Sequence, residues 1–220
     1  MRPYLEIDGI TLFLGDCMQV TEWLAADVLI ADPPYGMAYV SNSSKYGSTP
    51  PIAGDHDADL RDRALKAWNN GTEPRPALVF GTWRVTRPEN TRHMLVWDKG
   101  DSPGMGDLTL PWGHSFEEIY VMGAGWIGSP RRSNVIRVPT MSASASYRPD
   151  HPTPKPVRLL ERLISNCPPE WTIADPFAGS GSALIAARNL GRRAIGVEVE
   201  ERYCEMIASQ LQQSAFDFEF

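Results

Sequence analysis

The sequence predicts an α/β fold: a mostly parallel sheet with helices on both faces and a ligand site at one edge. A short apolar run at residues 28–31 and a short strand-like stretch at residues 172–174 each lead into an acidic residue followed by proline. Continuous apolar runs are typical of strands buried on both faces, and proline ends such a strand because it lacks an N–H donor. The second run continues into a glycine-rich turn, a helix and another strand, which together form one βαβ half of a nucleotide-binding fold.

The remaining elements follow from hydrophobic periodicity and turn residues. Residues 4–14 predict two strands joined by a turn, and residues 18–24 predict a helix for which Asp16 is a candidate N-cap. One late hairpin, residues 116–122 with 134–138, is expected to add an antiparallel edge. Further helices are predicted at 59–68, 156–166 and 183–190, and further strands at 77–81, 92–97 and 193–197.

The 220-residue chain has the composition of one globular domain, with 42% hydrophobic and 22% charged residues. No run approaches the roughly 18 apolar residues of a membrane span, and the amino-terminal segment lacks the apolar core of a signal peptide. The three cysteines lack framework spacing, which indicates reduced thiols and a cytoplasmic location. Four scattered histidines predict no metal site.

The charge of the chain is unevenly distributed. The formal net charge is −6, whereas residues 124–158 carry about +5 by themselves. A local basic patch on an acidic body fits a face that contacts phosphates without binding nucleic acid indiscriminately. A solvated loop with ordinary arginines is the alternative. The candidate nucleic-acid-binding residues are Lys45, Arg84, Arg131, Arg132, Arg137 and Arg148.

The most informative stretch is Asp32-Pro33-Pro34-Tyr35, directly after the first buried run. The two prolines hold a carboxylate, a prolyl carbonyl and an aromatic ring in a stiff turn at the carboxyl end of a strand. Two acceptors beside a flat ring suit the amino group of a nucleobase. Taken alone, the motif is equally consistent with a strand-end turn in which Asp32 is satisfied locally.

The second informative stretch is residues 172–182, which contains Asp175 and the glycine pair Gly179 and Gly181. Glu198 follows Gly179 by 19 residues, a spacing at which an acid reaches ribose hydroxyls. Leu184 occupies the position of the third small residue of a dinucleotide fingerprint, and an acid at the strand end repels a pyrophosphate. An acid there suits a ligand with a cationic amine, and S-adenosylmethionine combines an adenosine with an ammonium group.

The two motifs together resemble those of the DNA amino-methyltransferases. The catalytic motif precedes the cofactor motif, which resembles the circularly permuted β group of that family. Two further segments are similar to cofactor-binding stretches of the family: residues 151–156 and residues 14–17. Residues 97–99 also resemble a segment of the family.

The resemblance implies a seven-stranded Rossmann-like methyltransferase sheet with one antiparallel hairpin, in one domain spanning residues 1–220. It assigns catalysis to Asp32, Pro33, Pro34 and Tyr35. It assigns cofactor binding to Asp16, Cys17, His151, Thr153, Lys155, Asp175, Pro176, Phe177, Gly179, Gly181, Ser182 and Glu198. Within these, Asp16 would bind the adenine amino group and Glu198 the ribose hydroxyls. A mobile loop is expected at about 38–58, and a small target-recognition region at about 100–150.

The implied function is methylation of double-stranded DNA at N6 of a flipped-out adenine, with S-adenosylmethionine as cofactor. Adenine is favoured over cytosine N4 because the motif begins with Asp. A homodimer and a cognate restriction enzyme are conceivable partners. An RNA or protein methyltransferase, an inactive methyltransferase-like binding protein and a nicotinamide dehydrogenase are weaker alternatives. Cytosine C5 methylation by Cys17 is rejected because a Pro-Cys context is absent.

Overall fold

A computed structural model describes residues 1–35, 59–71, 73–100, 109–140 and 154–216. Its strands are β1 (Leu5–Ile7), β2 (Ile10–Leu14), β3 (Val28–Ala31), β4 (Ala77–Gly81), β5 (His93–Asp98), β6 (Phe116–Met122), β7 (Val135–Arg137), β8 (Ile173–Asp175) and β9 (Ala194–Glu198). Its helices are α1 (Leu60–Asn69), α2 (Val157–Ile164), α3 (Ser182–Asn189) and α4 (Glu201–Phe216), with a 3-10 helix at Glu22–Ala25.

The strands form one sheet in the order β1-β2-β9-β8-β3-β4-β6-β5-β7. Five central neighbours, from β2 to β4, run parallel. The predicted α/β class with a mostly parallel centre is therefore confirmed. Their shared direction places the carboxyl ends of β2, β9, β8, β3 and β4 at the same edge of the sheet.

The ends of the sheet differ from the prediction. It has nine strands in the described residues instead of seven, because β1 and β7 extend it on either side. β7 pairs with β5 in parallel, Val96 opposite Val135, and not with β6 as predicted. β6 is flanked by β4 and β5, both antiparallel to it, so only the free side of β5 was available to β7.

The predicted helix at residues 18–24 is also wrong. The segment forms turns and then the short 3-10 helix Glu22–Ala25. The indole N–H of Trp23 donates to the carbonyl of Cys17 at 2.9 Å, taking the acceptor that an α-helix would pair with a main-chain amide. The Asp16 side chain still caps the first turn, since its Oδ1 accepts the N–H of Met18 at 2.8 Å.

Apolar side chains cover both faces of the sheet, and helices pack on each face. α2, α3 and α4 cover one face through Leu159, Leu184 and Ile207. The 3-10 helix and α1 cover the other, where the indoles of Trp23 and Trp68 stack with centroids 6.0 Å apart. Successive residues of each central strand point alternately into the cores on the two faces, as expected for strands buried on both sides. The predicted placement of helices on both faces is confirmed.

Two predicted regions lie partly or wholly outside the described residues. The expected loop at about 38–58 lies outside them. The expected recognition region at about 100–150 contributes β6 and β7 within 109–140. No helix in the described ranges is long and apolar enough to cross a membrane.

Candidate active site

Four neighbouring parallel strands each lead into a carboxylate at the same edge. Asp16 follows β2, Glu198 ends β9, Asp175 ends β8 and Asp32 follows β3. Strand order and direction therefore bring together four acidic residues that are up to 182 positions apart in the sequence. The edge is strongly acidic, which favours a ligand carrying positive charge and hydrogen-bond donors.

Asp32 is held by donors on both of its oxygens. Its Oδ1 accepts the hydroxyl of Tyr35 at 2.8 Å, and its Oδ2 accepts the ammonium of Lys155. Burial raises the pKa of the Tyr35 phenol well above its ordinary value, and the negative charge of Asp32 raises it further. The phenol therefore keeps its proton and remains a hydrogen-bond donor. The predicted catalytic residues Asp32 and Tyr35 are therefore joined directly, on the turn that Pro33 and Pro34 stiffen.

Lys155 is buried beside this motif. Its ammonium also lies 3.4 Å from Glu117 Oε2 and 5.1 Å from the centroid of the Phe80 ring. Burial alone would lower the pKa of Lys155, but the carboxylates of Asp32 and Glu117 raise it above its ordinary value. The Lys155 ammonium thus bonds the predicted catalytic residue Asp32. The sequence had assigned Lys155 to cofactor binding instead.

Ser182, another predicted cofactor residue, ties the two motifs together. Its Oγ donates to the main-chain carbonyl of Lys155 at 2.7 Å and lies 2.9 Å from the hydroxyl of Ser180. Ser182 begins α3, so the glycine-rich turn and the segment before α2 are held in fixed relation.

The glycine-rich turn is built around Glu198. Its Oε2 accepts the N–H of Gly179 at 2.7 Å, and its Oε1 accepts the N–H of Glu200 at 2.8 Å. Gly179 and Gly181 have φ of 50° and 75°, the left-handed region that favours glycine. A Cβ on Gly181 would lie 2.6 Å from Cγ1 of Ile207. The turn therefore requires glycine at position 181 for both backbone and packing reasons.

Asp175 is a buried acid at the centre of the edge. Its Oδ1 accepts the N–H of Phe177 at 3.1 Å, and its side chain is 6% exposed. Burial raises the pKa of this carboxyl to about 8, and the charges of Asp32 and Glu198 add to the rise. Pro176 is buried beside it, and Phe177 packs partly buried against the α1 side of the core. Asp175 would be ionised more readily if a cation lay beside it.

The segment after β2 meets the end of β9. The N–H of Gly15 donates to the carbonyl of Glu198 at 2.8 Å, and Asp16 is exposed. The side chain of Cys17 instead points into the core, and burial raises the pKa of its thiol to about 12. A buried, protonated thiol is a poor nucleophile, which supports the rejection of C5 chemistry.

Four of the predicted nucleic-acid residues lie in the described part of the chain. Arg84 follows β4 at the active edge, where its Nη2 lies 3.1 Å from Nε2 of His114. Arg137 is exposed and pairs with Asp98, with 2.8 Å between Nε and Oδ2. Arg131 and Arg132 are exposed. Lys45 and Arg148 lie outside the described residues, as do the predicted cofactor residues His151 and Thr153.

Sequence reasoning missed Glu117, which lies on β6 and contacts Lys155. Its other oxygen, Oε1, lies 2.6 Å from Nζ of Lys99. The available signal was a pair of acids, Glu117 and Glu118, directly before the fully buried Ile119 and Tyr120 of the same strand. An acid in such a position requires a partner.

The chain is similar in sequence to known DNA methyltransferases. Residues 55–209 match a family model described as DNA methylase, of the N6/N4 methyltransferase type; the match begins after Asp32. "Putative methylase YubD" of Escherichia coli (strain K12) is 30% identical over 203 residues, covering 86% of this chain and 84% of that protein. Type II methyltransferase M2.MboI of Moraxella bovis is 24% identical, covering 94% and 89%.

Solved structures share the fold. The crystal structure of the M1.HpyAVI–SAM complex superposes with a TM-score of 0.62 at 18% identity, covering 91% of this chain and 99% of that one. The cytosine-N4-specific PvuII DNA methyltransferase gives a TM-score of 0.66 at 13% identity, covering 96% and 95%.

Proposed function

The chain belongs to the DNA methylase family of the N6/N4 type, and from this premise we propose that it methylates N6 of adenine in double-stranded DNA. Membership confirms the family resemblance of the sequence and S-adenosylmethionine as the methyl donor. The observation that supports adenine N6 as the target is Asp32 on its proline-stiffened turn. It lies at the same sheet edge as Asp175 and Glu198. The permuted β-group order remains a prediction.

The residues of the edge fit S-adenosylmethionine. Asp175 is a buried carboxyl whose ionisation a cationic ammonium would favour, and the turn at Gly179 and Gly181 brings main chain close to a ligand. We assign the methionine end to Asp175, the ribose hydroxyls to Glu198 and the adenine amino group to Asp16. The bound cofactor supplies an electrophilic sulfonium methyl and a neutral leaving group.

Asp32 prepares the target amine. The lone pair of an exocyclic amine is delocalised into the ring, so the amine is a poor nucleophile. Asp32 and the carbonyl of Pro33 each accept a hydrogen bond from one N–H of the amine. These bonds localise the lone pair on nitrogen and orient the amine. The proton that the methylated nitrogen must lose passes to a carboxylate oxygen of Asp32.

The hydroxyl of Tyr35 donates a hydrogen bond to Oδ1 of Asp32 at 2.8 Å. An entering amine displaces this neutral donor more easily than the charged ammonium of Lys155, because charge-assisted bonds are stronger. The base must leave the duplex to reach this site, and the Tyr35 ring then stacks on it.

The experiment that tests this function is expression in a bacterial host that lacks DNA methylation, followed by nucleoside mass spectrometry of its DNA. N6-methyldeoxyadenosine is expected with the wild-type chain and absent with Asp32→Ala. N4-methyldeoxycytidine alone would move the target to cytosine. Neither product, with the protein folded and the cofactor bound, would refute DNA methylation by this chain.

The raised pKa of Asp175 predicts that cofactor binding releases a proton. At pH 7, below its pKa of about 8, the free carboxyl is mostly protonated, and binding a cationic ammonium requires its ionised form. Cofactor binding at pH 7 should therefore release close to one proton more in wild type than in Asp175→Asn. Calorimetry in buffers of different ionisation enthalpy measures this difference. It should shrink above pH 8, and equal proton release in both proteins would exclude an ammonium beside Asp175.

A second prediction concerns DNA contacts at the active edge. Trp83, two residues after β4, is 62% exposed, and the Arg84 guanidinium lies 5.3 Å from its ring centroid. An exposed ring beside a cation suits stacking on bases and contact with phosphate. We expect Arg84→Ala to raise the KM for DNA about tenfold. The slope of log affinity for DNA against log salt concentration should decrease in magnitude by about 1.

The matched control for this prediction is Arg193→Ala. Arg193 is exposed and precedes β9 at the opposite edge of the sheet. The control should leave the KM for DNA within about twofold, and both variants should bind the cofactor like wild type. An equal effect of the two changes would mean that Arg84 acts only through overall charge.

Double-stranded DNA is thus the proposed substrate. A homodimer, a restriction partner and a cytoplasmic location remain predictions of the sequence. Contacts by Arg131, Arg132 and Arg137 are further proposals, which the salt dependence of the corresponding alanine variants would test in the same assay.

A further inference from the structure

A cavity of about 360 Å³ opens beside the segment that follows β4. Its lining includes Trp83, Arg84 and Arg87 from that segment, and Glu118 and Tyr120 from β6. β6 runs antiparallel to β4, so the first residues of β6 lie at the carboxyl end of β4, which is the active edge. The cavity therefore adjoins the candidate active site, and its volume is in the range of pockets that bind small molecules.

Glu118 brings a buried carboxylate to this cavity. The residue is 6% exposed, and its Oε2 accepts the hydroxyl of Tyr120. Within the described ranges, Glu118 forms no ion pair, and its Oε1 receives no hydrogen bond. Burying a carboxylate is costly unless cations or several donors compensate its charge. Oε1 is therefore an acceptor that the donor of a ligand would satisfy.

The Tyr120 ring holds this carboxylate in place. Tyr120 packs directly on Gly81, where an added Cβ would collide with Cε2 of the ring. Burial and the hydrogen bond to Glu118 raise the pKa of the Tyr120 phenol to about 12, although Arg87 opposes the rise. The phenol therefore keeps its proton, and its bond occupies one oxygen of Glu118 while leaving the other for a ligand.

The rim of the cavity supplies a flat ring and two guanidinium groups. The exposed Trp83 ring lies 5.3 Å from the Arg84 guanidinium and 6.1 Å from the centroid of the His114 ring. The carbonyl of Thr82 accepts the N–H of Val85 at 3.1 Å, which closes the turn that carries the ring. An exposed ring beside a cation is a platform on which a nucleobase stacks.

These groups match the hydrogen-bonding edge of an amino base. Cytosine and adenine carry an amino group, which donates, where thymine and guanine carry a carbonyl oxygen, which accepts. The Glu118 carboxylate accepts from an amino group and repels a carbonyl oxygen. Beside the amino group, cytosine and adenine present a ring nitrogen that accepts, and the guanidinium groups on the rim are donors.

We propose that this cavity binds a second base of the DNA substrate, an adenine or a cytosine, which stacks on Trp83 and donates its amino group to Glu118. Since Glu118 is buried, the base must leave the duplex stack to reach it, as the target base does. The inference rests on the proposed methylation of DNA, and it makes Glu118 a specificity-determining residue for that reaction.

The second base is distinct from the target base. The Lys155 ammonium, which bonds Asp32, lies 5.1 Å from the ring centroid of Phe80, on the face of the sheet shared by Ile119. Glu118 precedes Ile119, so its side chain is on the other face. Asp32 and Glu118 are two strands apart, about 10 Å between main chains. At about 3.4 Å per nucleotide, the second base lies within about four nucleotides of the target.

The test compares the sequence preference of the wild-type chain with that of variants. Each protein is expressed in a host that lacks DNA methylation, and every methylated position is mapped by sequencing. We expect the wild-type site to require adenine or cytosine at one position within about four nucleotides of the target. Purified protein then gives kcat/KM on duplexes with each of the four bases at that position, which also distinguishes adenine from cytosine.

Glu118→Gln should reduce the selectivity for the amino base over guanine and thymine by at least about tenfold, and leave the other positions unchanged. The amide oxygen can still accept the hydroxyl of Tyr120, whereas the amide N–H₂ donates to a carbonyl oxygen. Glu89→Gln is the matched control, because Glu89 is an exposed acid of the same segment outside the cavity lining. It should keep the wild-type preference at every position.

Trp83→Ala is a second variant that does not depend on the stability of Glu118→Gln. The Trp83 side chain is exposed, so its removal leaves the core intact. We expect kcat/KM on the preferred site to fall about tenfold, because the second base loses its stacking platform. Selectivity at the same position should fall with it, since the base is no longer held against Glu118.

Three results would overturn the inference: a wild-type site without a preference for adenine or cytosine in that range, unchanged selectivity in Glu118→Gln, or an equal loss in Glu89→Gln. If Glu118→Gln does not fold, unchanged selectivity in Trp83→Ala counts against the inference in its place. A folded wild-type protein that binds the cofactor but methylates no DNA would refute the proposed function itself.

Discussion

Replacing Asp32 by alanine is expected to lower kcat for DNA methylation by at least about 10³-fold, with the Kd for S-adenosylmethionine within about twofold of wild type. The variant removes the oxygens that accept Tyr35 and Lys155 and that we assign to the target amine. The carboxylates of Asp175 and Glu198, which we assign to the cofactor, end β8 and β9 and keep their own hydrogen bonds. Single-turnover kinetics with labelled cofactor, together with calorimetry, separates the two effects.

The matched control is Asp27→Ala, at the opposite end of the same strand. Asp27 Oδ2 accepts the N–H of Thr172 at 2.7 Å, so its loss costs a structural hydrogen bond of about 1 kcal/mol. We expect lower stability with nearly normal kcat. Wild-type turnover by Asp32→Ala, or an equal loss in both variants, would contradict the catalytic assignment.

Gly181→Ala is expected to produce the largest loss of cofactor binding. At φ +75° an L-residue is strained by about 1–3 kcal/mol, and the new Cβ would lie 2.6 Å from Cγ1 of Ile207 in α4. Relieving that contact requires the glycine-rich turn and the helix to separate, at a further cost of about 1–3 kcal/mol. Denaturant unfolding and calorimetry with the cofactor measure both effects.

Gly191→Ala provides the comparison for this loss. Gly191 also has a left-handed backbone, at φ +64°, but a Cβ there would meet nothing within 4 Å. It should lose stability from strain alone and bind the cofactor like wild type. Equal losses in the two variants would show that packing against Ile207 contributes nothing to the cofactor turn.

The sequence predicted the strand ends of the candidate site, because there the local residues dictate the structure. Apolar runs ending in Asp-Pro fix strand ends, so the places of Asp32 and Asp175 at those ends follow from the residues beside them. The acid 19 residues after Gly179 likewise predicts the end of the next strand, where Glu198 lies. These signals depend on neighbours in the chain, which a sequence displays directly.

What the sequence did not predict depends on contacts between distant segments. Lys155 lies 123 positions from Asp32, and no local pattern shows that its ammonium reaches that carboxylate. Glu117 was missed for the same reason. The position of β7 depends on β6 being flanked on both sides, and the failed helix after Asp16 depends on one indole hydrogen bond. Each is a consequence of tertiary packing.

The most direct test of the central claim uses purified protein, unmethylated duplex DNA and S-adenosylmethionine carrying a trideuterated methyl group. After digestion to nucleosides, mass spectrometry should find the labelled methyl on deoxyadenosine, at N6, and on no other nucleoside. Label on cytosine N4 would retain the chemistry of Asp32 but contradict the proposed base. No label in DNA, from protein shown to bind the cofactor, would contradict the account.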